Sequence, residues 1–281
     1  MAMRYQHQMV SFLTMHGKER VVAPVLAQAL GCQVTWVGDF DTDTLGSFSR
    51  EIPRVTSALA TCRRKAEIGM GLAQTSLGLA SEGSFNADPW SGLLPWNVEI
   101  LVFIDHTHGW EVVGTAQGPA HNHHTTVHDV DALQVFAQQH GFPEHQLCLR
   151  PDSVQDPRVI KGVDSLEGLR RAFHTCWGQS AQGLVHVESD LRAFGNPTRM
   201  AMIKRAAQDL VQKINQACPQ CDGPGYQVVS HRSGLPCAAC GRPTRLATHA
   251  LWRCAHCQHS QEVVLAQARN ADPSRCDHCN P

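Results

Sequence analysis

The chain has 281 residues, of which 42% are hydrophobic and 17% charged, and its formal net charge is −1. This length allows one sizeable core and a second, smaller domain. The near-zero charge excludes the overall basic surface of a protein that wraps a long nucleic acid, so we do not expect such a partner, although local contacts stay open. We also expect a cytoplasmic protein without a membrane partner, because no run approaches roughly 20 apolar residues and the N-terminus lacks a signal-peptide pattern. The oligomeric state stays open.

The chain opens with a strand, a helix and a second strand. The pattern predicts a buried strand at residues 9–14, a helix with its apolar face ending near Leu30, and a strand at residues 33–37. The intervening loop, which contains His16, Gly17 and Lys18, therefore lies beside a helix N-terminus, where backbone N–H groups favour an anion.

A second helix is predicted between residues 54 and 70. Arg54, Thr61 and Lys65 recur along one line of it, which either faces phosphate or forms a solvated face. A strand at residues 77–85 then enters a glycine-flanked turn, and residues 97–105 alternate as a strand that pairs with residues 110–115.

The alternation of strands and helices continues to the end of the main domain. We predict helices at residues 131–140 and 166–177, and strands at 146–149 and 184–188. Asn196 and Pro197 mark the start of a further helix. The predicted fold class is α/β, with a mixed sheet flanked by helices in residues 1–217, followed by a C-terminal double zinc ribbon in residues 218–281.

Eight cysteines form four C-x-x-C pairs near the C-terminus. The pairs are Cys218/Cys221, Cys237/Cys240, Cys254/Cys257 and Cys276/Cys279. Two such pairs complete a closed tetrahedral site, so we predict two structural zinc ions. The spacers favour pairing in sequence order, with an interleaved arrangement and an iron–sulfur cluster as alternatives. Either the zinc ions serve only to hold this segment folded, or the segment also contacts nucleic acid or protein.

Polar residues also gather between a predicted strand end and the helix that follows Asn196. They are Glu188, Asp190, Arg192, Asn196 and Arg199. Ligands collect at such positions in α/β sheets, and two arginines there are suited to clamp a carboxylate or phosphate. A structural ion-pair network explains the same pattern. We expect Lys18 and Arg199 to be accessible, so that their removal affects ligand binding far more than stability.

Histidines form a third cluster, in predicted loops. Its members are His106, His108, His121, His123, His124 and His128. Imidazoles spaced two residues apart on an extended segment share a face and suit a transition metal, but solvated loop residues explain them as well.

Several stretches of the chain resemble an uncharacterised bacterial family, domain of unknown function 6671. They are residues 16–19, 40–51, 78–85, 188–193, 196–200 and 234–241. This resemblance implies a family but no activity.

Roughly the first 115 residues are loosely similar to nucleoside triphosphate pyrophosphatases of the inosine triphosphatase type. The likeness implies that Lys18 and Lys65 hold phosphate and that Glu82 binds magnesium, with Glu99 or Asp41 as further ligands. The family's adjacent aspartate pair is replaced here by Ser81 and Glu82.

We therefore expect a hydrolase or binding protein for a small anionic, phosphorylated or nucleotide-like ligand, with magnesium as a candidate cofactor beside zinc. The candidate catalytic residues are Glu82, Lys18 and Lys65. The candidate ligand-binding residues are His16, Gly17, Arg54, Asp190, Arg192, Asn196 and Arg199. The alternative is a non-catalytic scaffold whose zinc ribbons contact protein or RNA.

Overall fold

A computed structural model describes residues 4–45, 56–265 and 269–281. The chain divides into two compact units, Met1–Val211 and Gln212–Pro281. The boundary that we predicted at residue 217 lies shortly after this division. None of the helices in the described segments combines the length and hydrophobicity that a membrane crossing requires.

The first unit contains a five-stranded mixed sheet. Its strands are β1 (Met9–Leu13), β2 (Gln33–Val37), β3 (Leu77–Ala87), β4 (Pro95–Asp105) and β5 (Trp110–Pro119), in the order β2-β1-β3-β4-β5. Strand β1 is parallel to both β2 and β3, whereas β3, β4 and β5 are antiparallel neighbours. From its sequence we had predicted that β3 runs into a turn at Gly83. Instead, the strand continues past Gly83 and forms a long hairpin with β4.

Two helices accompany this sheet, α1 (Glu19–Leu30) and α2 (Ala58–Ala73). Helix α2 packs its apolar stripe on the sheet, where Cys62, Ala66 and Met70 contact a buried cluster that includes Ala80 and Val102. Burial of such a stripe removes apolar surface from water and so fixes the rotation of the helix. The polar residues next to the stripe consequently lie close to the sheet.

The first unit also contains a second, antiparallel sheet. Its strands are β6 (His124–Val127), β7 (Leu147–Pro151), β8 (Ile160–Val163) and β9 (Val185–Ser189), in the order β6-β9-β7-β8. Helices α3 (Val130–Gln139) and α4 (Leu166–Gln179) supply Leu133 and Phe173 to its core. The α/β class and the mixed sheet are confirmed, but the strands are shared between two sheets. We missed β6 and β8 because each has only four residues and little apolar alternation.

Helix α5 (Pro197–Asn215) leads into the second unit, whose strands β10 (Gln227–Ser233), β11 (Ala247–Arg253) and β12 (Ser260–Val264) form an antiparallel sheet. One small apolar cluster of this unit consists of Cys218, Tyr226 and Cys254, with Trp252 packed against them. A small apolar core offsets little of the conformational entropy that is lost on folding, and the unit also contains two groups of four cysteines that could each hold a metal ion.

Candidate functional site

Five of the predicted site residues line one small pocket in the first unit. They are His16, Lys18, Lys65, Glu82 and Arg199, and the remaining lining residues are Leu13, Thr14, Met15, Thr42 and Ser81. The pocket has a volume of about 20 Å³. Parallel strands β1 and β3 place it at the carboxyl end of β1, where the chain turns into α1, which is a common ligand position in α/β sheets.

The loop that follows β1 has an unusual backbone. His16 and Gly17 have φ values of 69° and 71°, which is the left-handed region, and Lys18 is the N-cap of α1 without a side-chain cap hydrogen bond. Left-handed conformation at a non-glycine residue such as His16 is uncommon and concentrates at functional sites. The loop directs a helix N-terminus, which favours negative charge, toward the pocket.

Both predicted lysines point inward. The Lys18 Nζ donates to Ser81 Oγ at 3.1 Å, and the Lys65 ammonium pairs with the Glu82 carboxylate. Both lysines are buried, as is Thr61 on the same line of α2. The line that contains Lys65 therefore faces the protein interior and is not a solvated helix face.

Arg199 completes the pocket from the first turn of α5. Its Nε donates to Glu99 Oε1 on β4 at 2.7 Å, and the Asn97 side-chain amide donates to the same oxygen at 3.0 Å. The side chains of Arg199 and Glu99 are 1% and 0% exposed. A side chain at Gly83 would place Cβ 2.3 Å from Glu99 Oε1, so glycine is required there for the pair to form. The expectation that Lys18 and Arg199 are accessible is therefore wrong.

Among the described residues, the pocket and its immediate surroundings hold more cationic than anionic side chains. Lys18, Lys65 and Arg199 line it with the buried Glu82 carboxylate, and Glu99 is buried against Arg199. Burial, together with the nearby Arg199 guanidinium, lowers the pKa of Lys18 to about 8. At neutral pH the group retains a surplus positive charge in a low-dielectric setting, and that surplus favours an anionic ligand.

Magnesium fits these residues less well than an anion does. Glu82 is paired with Lys65, and Glu99 is paired with Arg199, so each carboxylate already faces a cation. A divalent cation would have to displace these cations and enter beside the Lys18 ammonium, which repels it.

The other predicted ligand residues are engaged in structural contacts near the pocket. Asp190 accepts from the Arg192 guanidinium and from the backbone of Gly162, and Asn196 caps α5 by accepting from the Arg199 N–H at 3.0 Å. Arg192 lies over the ring of Phe194, which in turn contacts the His16 ring. Arg54 lies outside the described residues.

The eight paired cysteines form two groups suited to a tetrahedral metal. Cys218, Cys221, Cys254 and Cys257 make up the first, and Cys237, Cys240, Cys276 and Cys279 the second. Sulfur–sulfur distances across the groups are 3.7 to 3.8 Å. Zinc–sulfur bonds of about 2.3 Å in a regular tetrahedron require sulfurs about 3.8 Å apart, so the residues fit zinc.

In each group of four cysteines, backbone N–H groups lower the pKa of the first thiol. Burial opposes ionisation of Cys218, but the N–H groups of Cys221 and Gln220 lower its pKa to about 7. The N–H groups of Cys240 and Ala239 likewise lower the pKa of Cys237 to about 7. Thiolates are the metal-binding form, so these groups are ionised more readily than an ordinary cysteine.

The cysteine pairs are interleaved, and the sequential pairing that we had favoured is wrong. Strand pairing aligns Gln227 with Arg253, which brings the cysteines before β10 to those after β11. Cys237 is bridged to Ala271, which brings the β10–β11 turn to the C-terminal pair. Spacer length could not reveal these non-local strand contacts.

Four histidine rings gather in the first unit, and only two of them belong to the predicted histidine cluster. His121 and His123 lie against His140 and His145, which were not predicted because they come from a helix end and the following loop. Within the described ranges, the two cysteine groups alone bring three or more His, Cys, Asp or Glu ligand atoms within 4.8 Å of one another. The histidines are therefore not arranged as a metal site.

A family model described as Domain of unknown function (DUF6671) matches residues 65–281, and the chain belongs to this family. The matched region includes Lys65, Glu82, Arg199 and all eight paired cysteines, whereas Lys18 precedes it. No curated protein matches the chain. The resemblance to this family is confirmed, whereas the looser likeness to the pyrophosphatases stays a prediction.

Proposed function

We propose that this member of the DUF6671 family binds a small anionic ligand, phosphorylated or nucleotide-like, in the pocket around Lys18, Lys65 and Arg199. One observation carries the proposal: among the described residues, three buried cations converge on a pocket that the Glu82 carboxylate also lines, while Glu99 is paired with Arg199, and the pocket lies beside a helix N-terminus. Buried charge is costly unless it is compensated. An anion that enters the pocket compensates the surplus charge.

The size of the pocket limits what enters it. A volume of about 20 Å³ holds one water-sized group. We propose that one terminal oxygen of the anionic group of the ligand occupies this space and that the rest of the ligand lies outside, toward His16 and the Arg192–Phe194 surface. The Ser81 hydroxyl, which now accepts from Lys18, is placed to join the polar contacts.

The same residues suit hydrolysis of a phosphate ester or anhydride. Fixed cations that are shielded from water stabilise the charge that develops on a transferring phosphoryl group. In this scheme Lys18, Lys65 and Arg199 stabilise that charge, and Glu82 holds Lys65 in place. Magnesium would enter together with a polyphosphate, whose own charge compensates the metal.

Calorimetric titration with phosphate, pyrophosphate and nucleoside triphosphates, with and without magnesium, tests the proposal. Lys18→Met keeps the side-chain length and removes a charge-assisted contact worth about 1.5–3 kcal/mol, so affinity is expected to fall roughly 10- to 150-fold. Lys204→Met, an exposed position on α5, is the matched control. Equal affinity in all three proteins, or no binding to wild type, would reject the proposal.

Turnover is measured on the same ligands. Glu82→Gln keeps the shape of the side chain but leaves the buried Lys65 ammonium without its paired charge, so we expect a loss of stability together with the loss of activity. Turnover is therefore compared at a temperature at which circular dichroism shows that the variant is folded. Binding without turnover in wild type would identify a binding protein.

The scaffold alternative receives less support from the second unit. Contacts with RNA by stacking require accessible aromatic rings. Tyr226 is buried and stacks on Trp252 beside the first cysteine group. The packing of these rings beside the cysteines favours a unit whose metal sites serve to hold it folded.

A further inference from the structure

Four histidine rings of the first unit pack against one another. His121 and His123 lie between β5 and β6, His140 ends α3, and His145 lies in the loop before β7. The ring centroids of His121 and His145 are 3.7 Å apart, and those of His123 and His140 are 4.0 Å apart with planes inclined by 16°. His121 and His123 meet edge to face at 4.7 Å and join the two pairs.

The surroundings of three of these rings favour the neutral form. Burial and the neighbouring His145 and His123 lower the pKa of His121 to about 4. Burial, followed by neighbouring histidines, also lowers the pKa of His123, and burial lowers that of His145. A hydrogen bond with the His140 backbone favours the protonated ring of His121, but within the described residues its buried Nε2 has no hydrogen-bond partner.

The cluster contacts the start of α5 at two points. The Nε2 of His145 lies 3.0 Å from the Thr198 hydroxyl, and the Asn196 side-chain amide donates to the His121 carbonyl at 3.1 Å. Asn196 also caps α5 by accepting from the N–H of Arg199. The same helical turn therefore carries both the contacts with the cluster and the arginine that pairs with Glu99.

Other charged groups around the cluster do little to offset added protons. Burial lowers the pKa of His145, and the Glu144 carboxylate, which raises it, only partly offsets this effect. On the side of the second sheet, His124 faces His186 at 5.8 Å, and Glu188 is occupied by Arg150 at 3.2 Å and lies 3.7 Å from His186. From the segment before α5, Asp190 is paired with Arg192. Protonation of the cluster therefore brings like charges together.

A metal does not explain this arrangement. The lone pair of an imidazole nitrogen lies in the plane of the ring. Two rings that stack face to face therefore direct their lone pairs in parallel planes, and the lone pairs do not converge on one centre. Metal ligands instead converge on the ion.

We propose that His121, His123, His140 and His145 form a pH-sensitive switch that holds the first turn of α5 when neutral and releases it when protonated. Repulsion among charged rings separates the stacked pairs, which withdraws the contacts to Thr198 and Asn196 and loosens Arg199. The proposed release of α5 depends only on the contacts of the histidine cluster. The consequence that the pocket loses its anion at acid pH rests on the proposed function.

Hydrogen exchange of the ligand-free protein between pH 7.5 and 4, corrected for intrinsic rates, tests the switch. The amides of Arg199 and Met200, which bond to Asn196, are expected to lose protection at least about 10-fold at pH 4, while those of Leu79 and Val102 stay protected. The double variant His123→Asn/His140→Asn removes two imidazoles from the cluster, so the loss of protection is expected to require a lower pH than in wild type. His174→Asn, an exposed position on α4, is the control and is expected to behave as wild type.

Three results would overturn the switch: unchanged protection at Arg199 across this range, loss of protection at all amides together, or the same acid response in the double variant. Binding of a third zinc ion or of nickel that depends on His121 and His123 would replace it with a metal site. Because no ligand is used, these results are independent of whether the pocket binds phosphate.

Discussion

Arg199 at the start of α5 and Glu99 in the middle of β4 form an ion pair with an Nε–Oε1 distance of 2.7 Å, although the two residues are 100 positions apart. The pair connects the first turn of α5 to β4 beside the pocket that Lys18 lines. Removal of one partner of a buried ion pair costs more than the pair contributes, because the other charge stays buried without compensation. The pair therefore links the stability of the first unit to the charge of the pocket.

Arg199→Met is expected to lower the free energy of unfolding by about 3–5 kcal/mol, since it leaves the Glu99 carboxylate buried without its paired guanidinium. Denaturant unfolding measures the change. The double variant Glu99→Gln/Arg199→Met should recover a large part of the loss, because it buries no net charge. Arg171→Met, at an exposed position, should stay within about 0.5 kcal/mol of wild type. A small effect of Arg199→Met would show that the pair is solvated.

The sequence predicted local elements well because their signals are local. The apolar stripe of α2 and the alternation in β4 are produced by neighbouring residues, and the Asn196 cap lies within one turn of its partner. Convergence of Lys18, Lys65, Glu82 and Arg199 was anticipated only as a possibility. Their burial depends on sheet order and on where α5 docks, which no single segment encodes.

The errors share a non-local cause. Spacer lengths favoured sequential cysteine pairing, but the bridge between Cys237 and Ala271 decides the partners. His140 and His145 join His121 only through the folding of α3 and its loop. Gly83 looked like a turn residue, whereas its role is to leave space for Glu99 and Arg199 across the sheet.

Gly83→Ala is expected to disrupt the pocket without changing any charged residue. The added Cβ would lie 2.3 Å from Glu99 Oε1 and 2.6 Å from Arg199 Nη2, which forces the ion pair apart. Overpacking typically costs about 1–3 kcal/mol, and thermal unfolding measures it. Gly71→Ala is the control, because a Cβ there meets nothing within 4 Å. If Gly83→Ala were as stable as Gly71→Ala, the ion pair could not be as closely packed as described.

Anion binding is expected to weaken as the pH rises through about 8. Burial lowers the pKa of Lys18 to about 8, so above this value the free pocket loses its surplus positive charge. Sulfate is the suitable probe because its charge is constant in this range, and titration at several pH values gives the affinity. Because a bound anion favours the protonated lysine, the apparent midpoint should lie somewhat above the pKa of the free protein.

Lys18→Arg separates this effect from general alkaline changes, since arginine keeps its charge throughout the range. Affinity in that variant, if it binds sulfate, should be nearly independent of pH. A parallel decline in both proteins would assign the pH dependence to another group.

The interleaved cysteine arrangement predicts how zinc is lost from double variants. Wild type should contain two zinc ions, because each group of four thiolates forms a closed site. Cys218→Ser/Cys254→Ser alters two ligands of one site, so elemental analysis should return one zinc ion. Cys218→Ser/Cys237→Ser alters one ligand in each site and should weaken the binding of both ions. Sequential pairing predicts the opposite, since Cys218 and Cys237 would then share a site while Cys254 belonged to the other. Removal of the metal by a chelator should unfold the second unit, because structural zinc contributes folding free energy on the order of 10 kcal/mol. The exchange protection of Leu79 and Val102 in the first unit should persist.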